Sequence, residues 1–574
     1  MEYYPPNYNL EKLTMDRMFA AIFKAHAERP ALGFVNQPML TYAQIQNRVL
    51  DLQQTLRQVG IKKEDKIVIL GGNSPNWGIA FIAIMTMGAV AVPIMAEFPE
   101  PDVEYTINHS EASAIFIDEG LYNSLNLPSM EKMRVVFNLN DFSLLTDAAD
   151  EKKWALPEKL KNPFEKPDAA NGETESFLPE IEEDDLAQIL YTSGTTGHSK
   201  GVMLTHKNLV SNTIAGPEVV KAIHSGTVVL GILPLAHAFG STNAFLSVLY
   251  CGGSIAYLDK KPSPKILLKA MQDVQPTLLG AVPLIFEKIH QKQVVPKIAG
   301  NWALRNMVKV PALRKAVHKI VGRKVKEAFG GKLESTIIGG ASLAPDLELF
   351  LREAGIPYVC GYGMSECSPL ITGSSLTDTK FGSVGYPVTD VSVKIVDPDP
   401  ETGVGEIYVK GPNVMKGYYK NEAETRRVFT DDGWLITGDR GYFDDDGYLF
   451  IKGRSKNVII GPSGENIYPE IIEDLLKGSP FVDEALVYEL ENQVTARIYP
   501  DYTYIQSQEK NKDDSAIGED IEQILEDVRR QVNAALPAFS KIQKVIEQRS
   551  PFIKTPSNKI KRAEYVPNYG KDRT

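Results

Sequence analysis

The sequence predicts an α/β fold: a large N-terminal domain of mostly parallel sheets covered by helices, then a smaller, mobile α+β C-terminal domain. Three observations carry this. Short β-rich runs alternate with helical patterns through most of the chain, as parallel strands require when helices make the crossovers. Asp141 to Asp185 is rich in Pro, Glu, Lys and Asp and reads as a solvated connection. From Lys456 the pattern becomes a compact α+β set, which divides the chain into residues 1–455 and 456–574.

The elements follow in order. Lys66–Leu70 (KIVIL) is a strand, Trp77–Met87 a helix and Val90–Ile94 the next strand. The longest apolar run, Gly78 to Met95, contains glycines and a proline and is followed by acids, so it reads as a buried helix entering a strand rather than a membrane span. Further strands are expected at Ala187–Tyr191, Val228–Leu233, Ser254–Leu258, Thr277–Val282 and Ser335–Gly339. In the C-terminal part NVIIG is a strand, YPEIIEDLL a helix, and Glu484–Glu489 and Val494–Tyr499 are strands. Ser507–Asp520 is expected as a polar loop before an amphipathic helix from Ile521 to about Ala535.

Composition narrows the function. The 574 residues are 43% hydrophobic and 24% charged, as in soluble globular proteins. A net charge of −11 argues against a dedicated nucleic-acid binder. Cys251, Cys360 and Cys367 have no metal or redox spacing and fit a reducing compartment. The N-terminus has no apolar core and is no signal peptide. A cytoplasmic location is expected, with peripheral contact at the inner membrane surface left open.

Four signals carry chemistry. In ILYTSGTTGHSKGVMLTH, Lys200 precedes Gly201, so the stretch does not match G-x-x-x-x-G-K-[ST]. Its residues nonetheless suit polyphosphate. Gly194 and Gly197 let backbone N–H groups approach oxygens, Thr192, Ser193, Thr195 and Thr196 add hydroxyls, and Lys200 adds a charge. A flexible surface loop is the bland alternative. In GYGMSE, an aromatic, a hydroxyl and a carboxylate fall within five residues, suited to a base, a phosphate and Mg²⁺, although an ordinary turn explains it taken alone. TGDRGYFDDDGYLFIKGRSKN and KTPSNKIKR complete the series, and the order and spacing of all four argue against coincidence.

Through these motifs, with GGASLAPDL and GENIYPEIIE, the chain resembles the adenylate-forming superfamily, most closely its long-chain fatty acid CoA ligase branch, from about Ala31 to Glu564. The resemblance implies two steps: ATP and a fatty acid give acyl-AMP and pyrophosphate, and coenzyme A then displaces AMP. It implies that Thr192, Ser193, Gly194, Thr195, Thr196, Gly197 and Lys200 hold the β- and γ-phosphates. Gly340 and Ala341 would flank the adenine, with Tyr362 stacked on it and Gly363 alongside. Ser365 would contact the α-phosphate, Glu366 bind Mg²⁺, and Asp439 and Arg454 hold the ribose. Lys559 would bridge the acyl carboxylate and the α-phosphate; with Lys200 and Glu366 it forms the expected catalytic set. Lys456 would be the hinge, and Gly461, Gly464, Glu465 and Asn466 would line the CoA channel. Two positions depart from the usual pattern: Ser199 stands where many relatives have proline, and Ser365 where threonine is usual.

His237, Phe239 and Gly240, in GILPLAHAFGSTNAF, resemble the acyl pocket; His237 reads as a gate rather than a base. Val219 to Leu258 holds no Asp or Glu, which favours a fatty or aromatic acid over an amino acid whose ammonium would need a partner. AVPLIFEKIH points to a medium- to long-chain fatty acid. Some relatives have a tryptophan gate where this chain has Ser241, so Phe239 is the expected substitute. Lys288–Lys332 carries twelve Lys and Arg against the single acid Glu327. A solvated face, an anionic membrane surface and the phosphates of CoA are its three open readings. Rival functions are an acyl-AMP ligase serving a carrier protein and a nonenzymatic nucleotide or lipid sensor; a homodimer is also left open.

Overall fold

The computed structural model describes residues 4–125, 130, 132–145, 180–192, 199–461, 465–508, 514–555, 558–567 and 569. Two large sheets form the N-terminal part. In one, Val135–Asn138, Ala114–Ile117, Lys66–Leu70, Val90–Ile94 and Leu186–Thr192 run parallel, and Lys200–Thr205 and Gly417–Tyr418 add antiparallel. In the other, Pro30–Phe34, Ser254–Tyr257, Val228–Leu230, Leu278–Ala281, Ser335–Ile338 and Val359–Gly363 are parallel, with antiparallel strands at both edges. The expected strands are present, most of them a residue or two different in length.

The apolar run behaves as its composition requires. Helix Pro75–Thr86 is capped by Ser74, whose hydroxyl accepts the Trp77 N–H at 3.1 Å, and opens on Pro75. Every side chain from Trp77 to Thr86 is buried, and strand Val90–Ile94 is buried throughout. A Cβ on Gly78 would lie 2.9 Å from the Phe245 ring and 3.2 Å from Leu32, so this helix is pressed between the two sheets. Among the described residues no helix is long and apolar enough to cross a membrane.

One sheet was not expected. Ser392–Val396, Gly405–Lys410, Leu435–Phe443 and Leu449–Arg454 form a four-stranded antiparallel sheet before the small C-terminal core. Beyond Arg454 a three-stranded sheet of Val482–Leu490, Gln493–Pro500 and Lys544–Glu547 packs with helix Pro469–Lys477 around Ile472, Leu476, Val487, Ile498 and Leu525. The polar loop of the sequence reading is largely helical: Tyr502–Gln508 is one helix, and the next runs Asp514–Ala535 rather than starting at Ile521. Its first turns, DSAIGED, carry too few apolar residues for a periodic signal. Most of the Asp141–Asp185 connection lies outside the described residues.

Candidate active site

The phosphate loop is the tip of a hairpin. Thr192 and Lys200 face each other in register at the ends of two antiparallel strands. This explains the departure from the P-loop spacing: the chain leaves the loop into a strand, not into a helix opened by Ser or Thr. Ser193, Gly194, Thr195, Thr196 and Gly197 lie outside the described residues. Lys200 Nζ meets Glu424 Oε2 at 2.5 Å and stands 5.1 Å from the centre of the Tyr418 ring. Beside it an opening of about 310 Å³ is lined by Tyr105, His109, Lys200, Tyr418 and Lys420.

Glu366 sits on a single helical turn, Ser365–Cys367, directly after strand Val359–Gly363 and Met364. The Tyr418 hydroxyl donates to Glu366 Oε1 at 2.9 Å. That bond fixes the carboxylate and leaves Oε2 free of protein donors among the described residues, which suits a divalent cation shared with phosphate oxygens. Gly363 is pressed on backbone: a Cβ there would lie 2.1 Å from the Pro369 carbonyl oxygen.

The nucleoside residues meet across two sheets. Asp439 and Arg454 are paired on neighbouring antiparallel strands, with Arg454 Nε 3.5 Å from Asp439 Oδ1. The Tyr362 hydroxyl donates to Asp439 Oδ2 at 2.7 Å, so both carboxylate oxygens face protein groups and the Tyr362 ring is pinned by its hydroxyl. Gly340 has φ +84°, the left-handed region that favours glycine, and it precedes the exposed Ala341.

Lys559 comes from the far end of the chain. It lies on a turn closed by Thr555 N–H to Lys559 O at 2.8 Å and Lys559 N–H to the Thr555 hydroxyl at 3.2 Å. Arg562, three residues on, anchors this segment through Glu473 at 2.6 and 2.8 Å and the Val487 carbonyl at 3.0 Å. Lys559 is exposed. Desolvation first, then the Arg454 guanidinium, lower its pKa, while Asp439 and Glu366 oppose the shift. Burial, with the Lys559 ammonium adding to it, pushes His237 down to about 4. The structure therefore brings Glu366, Asp439, Arg454, Lys559 and His237 within electrostatic reach of one another.

His237 precedes a wide helical stretch, Phe239–Leu246, of the π type that recurs at functional sites. Its Nδ1 faces the Phe239 N–H at 3.4 Å, and the Phe239 ring rests about 3.5 Å from where a Gly339 Cβ would be. Gly240 admits no side chain: a Cβ would lie 2.0 Å from the Pro234 carbonyl oxygen. Behind this turn Leu230, Ile232, Leu233, Ala244, Tyr257 and Gly280 line a narrow apolar cavity without a carboxylate. The cavity is about large enough for one water molecule.

Lys456 lies in the single turn Ser455–Asn457, 5.6 Å from the centre of the Tyr569 ring, and burial followed by Arg454 pushes its pKa down to about 8. Gly461, Glu465 and Asn466 belong to a small ribbon, where Gly461 N–H donates to Glu465 O at 2.8 Å; Gly464 lies outside the described residues. Ile459 and Ile467 of this ribbon pack into the C-terminal core. Tyr418 and Glu424, the partners of Glu366 and Lys200, were not singled out in the sequence. Their only local signal was KGYYKNEAE, two tyrosines before an Asn-capped acidic helix start.

The two large sheets, the antiparallel sheet and the small terminal core make up a fold found in solved structures. ATP-bound MatB from Rhodopseudomonas palustris superposes with a TM-score of 0.73 at 24% identity over 96% of this chain and 98% of that one. The chain belongs to the AMP-binding enzyme family, whose model matches residues 19–419. It is 30% identical over 579 residues to long chain acyl-CoA synthetase 3 of Arabidopsis thaliana, spanning 93% of this chain and 86% of that protein. It is 29% identical over 517 residues to a chloroplastic long-chain-fatty-acid–[acyl-carrier-protein] ligase of the same plant, spanning 78% and 70%.

Proposed function

We propose that this chain is an ATP-dependent fatty acyl-CoA ligase, forming acyl-AMP and pyrophosphate and then acyl-CoA and AMP. The observation that supports the reading is that Lys559 lies within electrostatic reach of Glu366, Asp439, Arg454 and His237. A carboxylate is a poor acyl donor until its oxygen becomes part of a better leaving group, and the mixed anhydride with AMP supplies one. Bringing two anions together needs cations held in advance where charge passes from acid to phosphate, and Lys559 would supply that charge. Glu366 would hold Mg²⁺, which neutralises phosphate charge when bound. His237, neutral at working pH, serves as a wall of the acyl entrance. The hairpin tip with Lys200 takes the departing pyrophosphate. Lys456 is the hinge, and turning about it would carry Lys559 away and bring the Gly461–Asn466 ribbon to the acyl carbon.

CoA-dependent AMP release measured across acids from acetate to oleate tests the substrate class. Medium- to long-chain fatty acids are expected to exceed acetate and amino acids in kcat/KM, with each buried methylene adding roughly 0.8 kcal/mol until the cavity is full. Acetate or an amino acid as the best substrate would overturn it. Delivery to a carrier protein remains the second reading, favoured by the relative that acts on one; the same assay with a carrier protein in place of CoA separates the two.

Glu424 gives a further expectation. It pairs with Lys200, so a phosphate that reaches this ammonium must share it with the carboxylate. Glu424→Gln is expected to lower KM for ATP about threefold, the scale of a partly exposed ion pair, without changing kcat. A raised KM would mean that Glu424 positions Lys200 for ATP instead.

A further inference from the structure

Helix Pro469–Lys477 is attached at its start, its middle and its end. At the start, the Glu470 carboxylate accepts the Asn457 amide at 2.5 Å, which ties the helix to the turn that holds Lys456. At the middle, Glu473 accepts the Val487 N–H at 2.7 Å and the Arg562 guanidinium, the anchor of the Lys559 segment. At the end, the Gln291 amide of the large domain donates to the Lys477 carbonyl. The last carbonyls of a helix have no partner within it, so an outside donor there satisfies a group that the helix itself cannot.

The same last turn meets a second segment of the large domain. Asp474 lies 3.9 Å from the Lys477 ammonium. Burial pushes the Asp474 carboxyl pKa up, while Lys477 and then the Ser342 hydroxyl, donating to it, oppose the shift. Gly478 approaches the large domain as well: a Cβ there would lie 3.3 Å from Asp346 Oδ2. Ser342 directly follows Gly340 and Ala341, the pair expected beside the adenine. The helix has nine residues, so about 13 Å separates its ends. Contacts at the far end therefore resist turning with a longer arm than the Asn457–Glu470 bond beside the hinge.

We propose that Gln291 and Ser342 are positioning residues: they clasp the last turn of helix Pro469–Lys477 and hold the C-terminal core where Lys559 serves acyl-AMP formation. Their role rests on the one proposed above for Lys559, which the clasp keeps in place. Undoing the clasp favours the turned arrangement proposed for transfer to CoA.

The test is the ratio of the half-reactions in the full chain, pyrophosphate release against acyl-CoA formation from synthetic acyl-AMP. Each half-reaction needs its own arrangement, so the ratio of their rates follows the equilibrium between the arrangements, whichever dominates. Gln291→Ala and Ser342→Ala should each lower the ratio of adenylation to thioester formation about fivefold, the effect of one net hydrogen bond. Ser342→Thr, which keeps a hydroxyl, should restore it; Gln291→Glu, which keeps the size and loses the donor, should not. In an Asp474→Ala background, Ser342→Ala should have no further effect. A helix that is merely weakened lowers both half-reactions together, so an unmoved ratio overturns the proposal, as does an independent loss in the Asp474→Ala background. Spin labels on cysteines introduced at the exposed Lys319 and Lys541, one in each part of the chain, give a readout free of activity; Cys251, Cys360 and Cys367 are buried. The balance between interlabel distances should shift about fivefold in each alanine variant, and an unchanged distribution overturns the clasp. If Lys559→Ala keeps full adenylation, the role of Lys559 fails instead, and the interlabel distances alone decide the clasp.

Discussion

Lys559→Ala is expected to slow acyl-AMP formation by about a hundredfold or more, the scale for losing one preorganised charge at a transition state, and to leave thioester formation from supplied acyl-AMP largely intact. The expectation rests on where the side chain stands. Its ammonium lies within electrostatic reach of Asp439 and Glu366, proposed for the nucleotide and its metal, and of His237, proposed for the acyl entrance. Its anchor, the Arg562–Glu473 pair, lies within the C-terminal core, so truncating Lys559 leaves that core intact. The pH dependence has a definite sign. A lysine is charged below its pKa, and desolvation lowers this one. Adenylation should therefore decline in the alkaline range before an ordinary lysine would deprotonate, and the residual activity of Lys559→Ala should lack that decline. Pyrophosphate release followed against pH, beside acyl-CoA formation from synthetic acyl-AMP, measures both. Equal losses in the two half-reactions would remove Lys559 from the first step alone.

Lys456→Pro should do the reverse, sparing adenylation and slowing transfer to CoA by about a hundredfold. The residue lies in a tight three-residue turn where φ falls near the value proline imposes, about −65°. In the observed arrangement the C-terminal helix Pro469–Lys477 is docked on the large domain, where the Gln291 amide donates to the Lys477 carbonyl. Proline would hold that arrangement. A rotated state needs other dihedrals at the hinge, and the pyrrolidine ring holds φ near about −65°, so the rotated state is disfavoured. Lys456→Ala is the control: it removes the ammonium from the Tyr569 ring but leaves φ free, and it should pass both half-reactions nearly unchanged. Loss of adenylation in the proline variant would show a damaged turn rather than a locked one.

What was legible in the sequence was local. KIVIL, the apolar run through Trp77 and Val90, and the paired C-terminal strands announce themselves by continuous or alternating hydrophobicity, because burial on one or both faces dictates it. The site motifs were legible because each keeps its chemistry within a few residues. Contacts between distant segments were not. The Tyr418–Glu366 bond, the Lys200–Glu424 pair and the capture of Arg314 by Glu353 each join stretches with no shared periodicity. The sheet of Ser392–Arg454 escaped because its short strands, with mixed burial, interrupt an α/β pattern without a strong signal of their own. The helix from Asp514 escaped because its first turns, DSAIGED, include a glycine and too few apolar residues for a helical period.

The pairing of Thr192 with Lys200 has a consequence for how the gene can change. In a helix-borne phosphate loop, inserting a residue rotates the lysine by a fraction of a turn, whereas in a strand successive side chains alternate between two faces. Lys200 opens such a strand, with Gly201 and Val202 buried behind it. One codon gained or lost between Lys200 and Thr205 would turn the ammonium to the opposite side of the sheet, and only a second, compensating indel on the same strand could return it. Length variation is thus confined to the tip, and the two strands act as a reading frame for the charge they carry.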